Sequence, residues 1–391
     1  SITGNWMLSI ALPVLVYQMT GSALAVGGML AANTLPGILF GSVAGVFVDR
    51  WERRRTIIAI NLLLAVSILP LLLVRSAEWL WLVYVVSFVQ STLSRFFTPA
   101  ENAMLPLLSD PKLLVSANAL NALNNNLARL IGPALGGVLV AGAGMSGVVI
   151  VDALTYVIAA ALAALISVTS HPGKDRPASD SPFKIVSEWA ESLRLIWRER
   201  NVRVLFLVSA LPAIGEATMY VLFVPFVTEV LHGDTTQVGA LMSAQAVGGI
   251  IGGMVIGWVA RRVLTVRLLG ISAIIFGLVD LALFNYSTFF TGIALAYFFF
   301  VLAGPLAVAM GASYDTLLQS SVQDAYRGRV FGTIGLTSSV FMLVGVAFAG
   351  AAGDTIGIVP AINVQGYVYI LAGIICLLAL QVEQPAPVMR N

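Results

Sequence analysis

The sequence predicts an all-α membrane protein: twelve transmembrane helices in two pseudosymmetric six-helix bundles, over 1–168 and 201–391, joined by a linker at 169–200. Three observations carry this reading. Of the 391 residues, 59% are hydrophobic and only 10% charged, against about 25% charged in soluble domains, so most of the surface cannot face water. Apolar runs of roughly 20 residues, the length that crosses a bilayer, recur about twelve times. The basic residues fall in every second connection. A net charge of +2 without basic stretches rich in aromatics excludes a nucleic-acid binder, and a single cysteine, Cys376, excludes a disulfide scaffold.

The apolar runs lie at about 2–19, 24–48, 56–74, 79–106, 113–141, 145–168, 201–231, 236–260, 264–286, 289–318, 327–352 and 363–381. Short breaks such as Thr20-Gly21-Ser22 and Gly142-Ala143-Gly144 make consecutive helices antiparallel neighbours. The longer connection opens with the polar stretch His171 to Pro177. It continues over 183–200 with Phe183, Val186, Trp189, Ala190, Leu193 and Trp197 at helical spacing, which predicts an amphipathic helix along the membrane surface.

Of the 21 basic residues, all except Arg75, Arg95 and Arg129 lie in alternate connections or at the chain end. That asymmetry places those connections and both termini in the cytoplasm and supports the even helix count. Six helices, a long loop and six more indicate duplication. Gly37, Gly41 and Gly45 match Gly249, Gly253 and Gly257, and Gly4-Asn5 matches Gly215-Glu216. Parallel repeats of this kind set two bundles around a central site near the bilayer midplane. Asn5 lies almost at the start of the sequence while Glu216 lies halfway along its helix. Residues before Ser1, including the first turns of helix one, are therefore expected to be missing, which an intact mass would test.

Gly45, Asp49, Arg50, Glu52, Arg53, Arg54 and Arg55 form the sharpest motif, between the second and third helices. Asp49 ends a helix, an unfavourable place for an anion unless positive charge faces it; the arginine loop and the Arg327–Arg329 region can supply it. Topology alone also explains the arginines. The motif resembles the signature of the major facilitator superfamily, and the resemblance runs over nearly the whole chain. Gly132, Pro133, Gly136 and Gly137, after Arg129, are similar to the antiporter motif of drug:proton exchangers. Gly4-Asn5-Trp6 through Tyr17 to Ser22 looks like the branch with macrolide-efflux proteins and the enterobactin exporter. Glu52 stands in place of the usual motif glycine, and Asn5 in place of a frequent aspartate. The resemblance implies a cytoplasmic latch at Gly45, Asp49, Arg50, Arg53 and Arg54; Glu101 and Asp315, near the same ends of their helices, are expected to pair with the arginine loops in a structural role. It also implies a bacterial inner membrane location.

Ionisable residues inside spans are the functional candidates, because each costs about 2.5–3.5 kcal/mol at the bilayer centre on insertion scales. Glu216 is the most central acid and is expected to couple protons, or else to sit in a static ion pair with Arg129; Asp152 and Asp280 rank second. Arg129 extends a polar face of Asn118, Asn121 and Asn125, so the fifth helix lines a cavity, with Gln90 and Arg95 in the same wall. Tyr17, Tyr220, Met219, Phe223, Tyr297, Phe300 and Tyr314 are candidates for its apolar lining, a composition suited to bulky amphipathic ligands. Glycines at four-residue spacing allow close helix contact, and Pro133 should kink the fifth helix.

No phosphate-binding loop occurs, so ATP is not the direct energy source. His171 and His232 lie in loops, which offers no metal site, no cofactor and no nucleophile–base pair for an intramembrane enzyme. The expected activity is proton-coupled efflux of a small amphipathic substrate by alternating access, carried out by a monomer surrounded by lipid. The alternatives are export of a lipid or siderophore by the same machinery and, from another class, a non-transporting receptor.

Overall fold

The computed structural model describes residues 1–40, 51–108, 113–166, 196–259, 265–290, 292–322 and 324–380. Residues 167–195, which hold most of the expected amphipathic helix, the latch residues Gly45, Asp49 and Arg50, and the side chains of Asn118, Arg327 and Arg329 lie outside the described residues. The first helices are α1 (Ile2–Thr20), α2 (Ala23–Phe40), α3 (Arg53–Ile68) and α4 (Leu80–Leu108). One continuous element, Leu114–Ala164, follows. The second half contains α7 (Arg200–Pro225), α8 (Thr235–Val259), α9 (Thr265–Asn285), α10 (Ala294–Ser321), α11 (Asp324–Ile356) and α12 (Ile358–Ala379).

Among the described residues, eleven segments are long and apolar enough to cross a membrane. One of them, Leu123–Ala164, has 42 residues, about 63 Å if straight and twice a hydrocarbon core. It is not straight. Gly144 has φ 63° and ψ −171°, a conformation only glycine adopts freely, and divides the element into α5 before it and α6 after it. Contacts with α1 establish the reversal. Gly132 and Gly136 face Thr3, Trp6 and Met7, while Asp152 and Tyr156 face Gly4 and Asn5. Residues equally far before and after Gly144 thus reach the same turns of α1, as in a hairpin. The described residues therefore make twelve crossings.

The last connection is shorter than its sequence suggests. A ten-residue break was expected around 353–362, but α11 and α12 are separated by Gly357 alone, at φ 94°. Pro360 falls in the first turn of α12, where a missing N–H leaves no bond unmade. Glu52 also acquires a local role. Its carboxylate accepts from the Arg54 and Arg55 amides at 3.1 and 2.9 Å, capping α3.

Each half has its own core, built around Met7, Val83 and Val149 in the first and Leu205, Leu318 and Cys376 in the second. A third cluster joins the halves: Ile10, Val14 and Ala23 meet Val221, Leu222 and Val346. Lipid tails are as apolar as leucine, so close packing rather than water exclusion holds such helices together. Glycines decide where it occurs. On α8 the tight approach to α10 is made by Gly248, opposite Val301, and Gly252, opposite Pro305. Gly249, by contrast, has ordinary contacts and Gly253 faces open space. The expected Gly249/Gly253 stripe is therefore displaced by one residue, about 100° around the helix.

The arginine end of the bundle is tied down by helix-end carbonyls. Arg54 Nε donates to the Ala163 carbonyl at 3.2 Å and its Nη2 to Ala164, at the end of α6. Arg200 Nε donates to Ala379 at 3.1 Å, at the end of α12. Arg53 Nη1 donates to Ala103 at 3.3 Å. Among the described residues neither Glu101 nor Asp315 forms the expected ion pair with an arginine.

Packing at Gly277 provides a stability test. A Cβ there would lie 2.8 Å from Ile370 Cγ1 and 3.0 Å from its nitrogen. Gly277→Val should lower stability by about 1–3 kcal/mol, the usual cost of overpacking. Gly253→Ala should leave the melting temperature of the purified protein unchanged.

Candidate functional site

A cavity of about 440 Å³ lies between α7, α8, α9, α10 and α12, with Arg129 of α5 contributing from the first half. Its position follows from local sequence. Gly215 seats α7 on α12, where a Cβ would lie 2.8 Å from Gln365 Cα. The next residue, Glu216, is turned off that contact into the cavity, where it is exposed. Tyr369 of α12 donates from its hydroxyl to Glu216 Oε1 at 2.7 Å. Asp280 of α9 and Gln365 line the same wall, and both are buried. Asp280 Oδ2 has no hydrogen-bond partner among the described residues.

The remaining wall is aromatic and sulfur-rich: Tyr220, Phe223, Phe276, Phe300 and Tyr314, with Met219, Met242 and Met310. The Phe276 ring packs against that of Tyr369, centroids 4.6 Å apart and planes tilted by 57°, fixing the tyrosine that holds Glu216. Arg129 does not form an ion pair with Glu216 among the described residues; its guanidinium lies 5.8 Å from the centre of the Trp6 ring.

Several expected cavity residues lie elsewhere. Gln90 is buried inside the first bundle, donating to the Leu64 carbonyl at 2.9 Å and Ser67 Oγ at 3.1 Å. An intramembrane amide must find partners, and these are structural. Arg95 lies against α2 at Gly37, where a Cβ would be 2.9 Å from Nη2. Asn121 and Asn125 bond each other along α5, Asn125 Nδ2 to the Asn121 carbonyl at 2.9 Å, toward the arginine end from Arg129. Tyr297 is half-buried in the shared core rather than in the cavity wall. Asp152 is enclosed within the first bundle. Sequence reasoning missed Tyr369 and Gln365, for which the one available signal was the spacing of Tyr156 and Tyr369 at nearly the repeat offset.

The end away from the arginines is closed by a seam between the halves. On one side, α2 meets α11 from Ala23 opposite Gly353, through Leu24 at Gly350 and Gly27 at Val346, to Thr34 at Met342. On the other, α5 meets α8: Gly137 touches Thr235 and Thr236, and the Pro133 carbonyl lies on Gly239. Ser243 Oγ accepts the Ala134 amide at 3.1 Å across this contact. The antiporter-like glycines thus divide their work, Gly132 and Gly136 receiving α1 and Gly137 receiving α8. Tyr17 donates to Glu229, and Gln18 Nε2 donates to Thr235 Oγ1 at 3.2 Å. Toward the arginine end the same faces part: Gly253 of α8 and Gly332 and Gly335 of α11 face open space.

This seam can be tested directly. Cysteines replacing Gln18 and Thr235 should crosslink under mild oxidation, with little background because Cys376 is buried. The crosslinked protein should lose transport, and reductant should restore it; transport by the fully crosslinked protein would contradict a seam that must open.

Comparisons with known proteins agree with this architecture. The family described as transmembrane secretion effector, within the major facilitator superfamily, matches residues 1–386. The chain is 25% identical over 389 residues to macrolide efflux protein A of Streptococcus pyogenes, covering 96% of this chain and 92% of that protein. It is 26% identical over 406 residues to the enterobactin exporter of Citrobacter koseri, covering 99% and 92%. A bacterial homologue of the iron transporter ferroportin, solved in an inward-facing state, superposes with a TM-score of 0.73 at 14% identity, covering 96% of this chain and 95% of that one. The chain belongs to the transmembrane secretion effector family and is a multi-span membrane transporter rather than an enzyme.

Proposed function

We propose that the chain exports amphipathic organic cations or related small molecules in exchange for protons, with Glu216 as the coupling carboxyl. The observation that carries this reading is a carboxylate on an aromatic cavity wall, exposed to that cavity and held by Tyr369. The arginine end faces the cytoplasm by the positive-inside rule, with both termini on that side, so the cavity is inward-open in this conformation. The moving units are the two bundles, and one chain suffices because the cavity is built within it. The relatives that export macrolides and siderophores support a substrate of this size. Two acids, Glu216 and Asp280, against one base favour cations over polyanionic siderophores.

In the cycle, substrate enters from the cytoplasm and neutralises Glu216, which lets the cavity close around it. After release outside, a proton takes its place and permits the return. A bare carboxylate enclosed without a partner would cost several kcal/mol, so an empty, deprotonated carrier does not cross and the two fluxes stay coupled.

The test uses proteoliposomes, erythromycin as probe and an imposed pH gradient. Wild type should accumulate erythromycin in response to the gradient. Glu216→Gln should lose gradient-driven accumulation by roughly tenfold or more, equal to at least about 1.4 kcal/mol of driving force. Full gradient-driven accumulation by the variant would remove Glu216 from the coupling role, and wild-type flux indifferent to pH would remove proton exchange.

A further inference from the structure

The two halves repeat one side-chain arrangement with two residue types exchanged. In the second half, Gly215 seats α7 on α12, Glu216 accepts from Tyr369, and Gln365 lies one turn before that tyrosine. In the first half, Gly4 seats α1 on α6, Asn5 accepts from Tyr156, and Asp152 lies one turn before that tyrosine. Asn5 and Glu216 are 211 residues apart, and Tyr156 and Tyr369 are 213 apart. Both halves therefore contain a carboxyl, a tyrosine and an amide. The carboxyl is on the seventh helix in one and on the sixth in the other.

The first-half carboxyl is sealed. Asp152 is 0% exposed; Thr155 Oγ1 lies 3.2 Å from its Oδ1, and its Oδ2 has no hydrogen-bond partner among the described residues. Gly4 faces it from α1, where a Cβ would be 2.8 Å from Asp152 Cγ. Behind Tyr156, whose hydroxyl also points at Gln90 Oε1 at 3.3 Å, Gln90 of α4 ties the network to α3 through Leu64 and Ser67. Among the described side chains, the titratable group bearing on Asp152 is Tyr156 of its own helix. No described lysine or arginine pairs with it. Enclosing an ionised carboxylate without a counterion is costly, whereas the neutral acid asks only for an acceptor.

We propose that this first-half triad is a second proton-binding site, with Asp152 as its carboxyl and Tyr156, Asn5 and Gln90 as its polar wall. The site extends the proton-driven reading above without depending on Glu216 being the coupling group. Its access is opposite to that of Glu216. Here Glu216 meets the open cavity and Asp152 is closed off, and α1 links the two situations. Gly4 near one end of α1 covers Asp152, while Tyr17 and Gln18, about 20 Å along the helix, belong to the seam. As the bundles rock and the seam parts, α1 tilts within the first bundle, loosening its contact with α6 and exposing Asp152 as the cavity around Glu216 closes. Each half then exchanges its proton in a different conformation.

Infrared pH-difference spectroscopy on the full chain in lipid vesicles tests this without needing a transport substrate. The expected result is a carboxylic-acid carbonyl band that bleaches at alkaline pH, persists in Glu216→Gln and Asp280→Asn, and disappears in Asp152→Asn. If Asp152→Asn does not fold, as judged by size-exclusion chromatography, Asp152→Glu should retain a titrating band at a shifted frequency. Titrating bands identical in wild type and Asp152→Asn, or no shifted band in Asp152→Glu, would overturn the assignment. So would a band that sodium chloride bleaches at fixed pH while choline chloride does not, since that is the behaviour of a metal-cation site. Failure of Glu216→Gln to uncouple transport would sink the Glu216 reading and leave this result standing.

Discussion

Closure of one end of the molecule depends on backbone meeting backbone across the two halves. At Gly137, Gly239 and the Pro133 carbonyl no side chain separates α5 from α8, while on α11 Gly350 and Gly353 make room for the side chains of Leu24 and Ala23 of α2. In lipid, association rests on such contact because burying apolar surface gains little over leaving it among acyl chains. An interface of this kind is shape-dependent and lightly hydrogen-bonded. The Ser243–Ala134 and Gln18–Thr235 bonds are each worth about 1 kcal/mol. A seam built this way holds while its surfaces fit and parts without exposing many unsatisfied polar groups. Both properties suit a carrier whose two open states must be close in energy.

The scarcity of charge inside the bundles sharpens the chemistry. Most basic side chains mark one end, and several are occupied with helix-end carbonyls, as Arg54 and Arg200 are. Arg129 is held against Trp6 and forms no ion pair with an acid among the described residues. That leaves Glu216 with a tyrosine hydroxyl as its partner, able to accept a substrate amine or a proton. The aromatic ring of Phe276 on Tyr369 and the tight seating of Gly215 on α12 fix the carboxylate's position from two sides. Positioning of this kind is what allows one group to alternate between two ligands.

Much of this fold was legible in the sequence because bilayer length and charge asymmetry are strong constraints. The α5–α6 reversal was marked by Gly142-Ala143-Gly144, and an acid in an apolar run drew attention to Glu216. The failures have a common cause, which is that tertiary packing decides which way an intramembrane side chain points. Gly248, Gly249, Gly252 and Gly253 form two adjacent stripes with the same period, and sequence does not choose between them. Tyr367 and Tyr369 both occur in an apolar helix, yet Tyr369 is buried against Glu216 and Tyr367 is exposed. Gln90 had to face protein, but nothing in its neighbours said that the protein would be Leu64 and Ser67 instead of a cavity. The Gly357 break was missed because one glycine with positive φ replaces the polar loop that usually marks a turn.

The central claim is that the bare charge of Glu216 prevents the cavity from closing, and that a proton or a cationic substrate lifts that bar. Single-molecule energy transfer tests it most directly, with dyes at Ser146→Cys and Thr288→Cys on the seam end or Leu108→Cys and Ser320→Cys on the arginine end. The account predicts that wild type crosses between its two open states more often as pH falls, and that Glu216→Gln crosses frequently and loses most of that dependence. Crossing rates in wild type that ignore pH, or a Glu216→Gln variant that keeps the wild-type pH dependence, would contradict it.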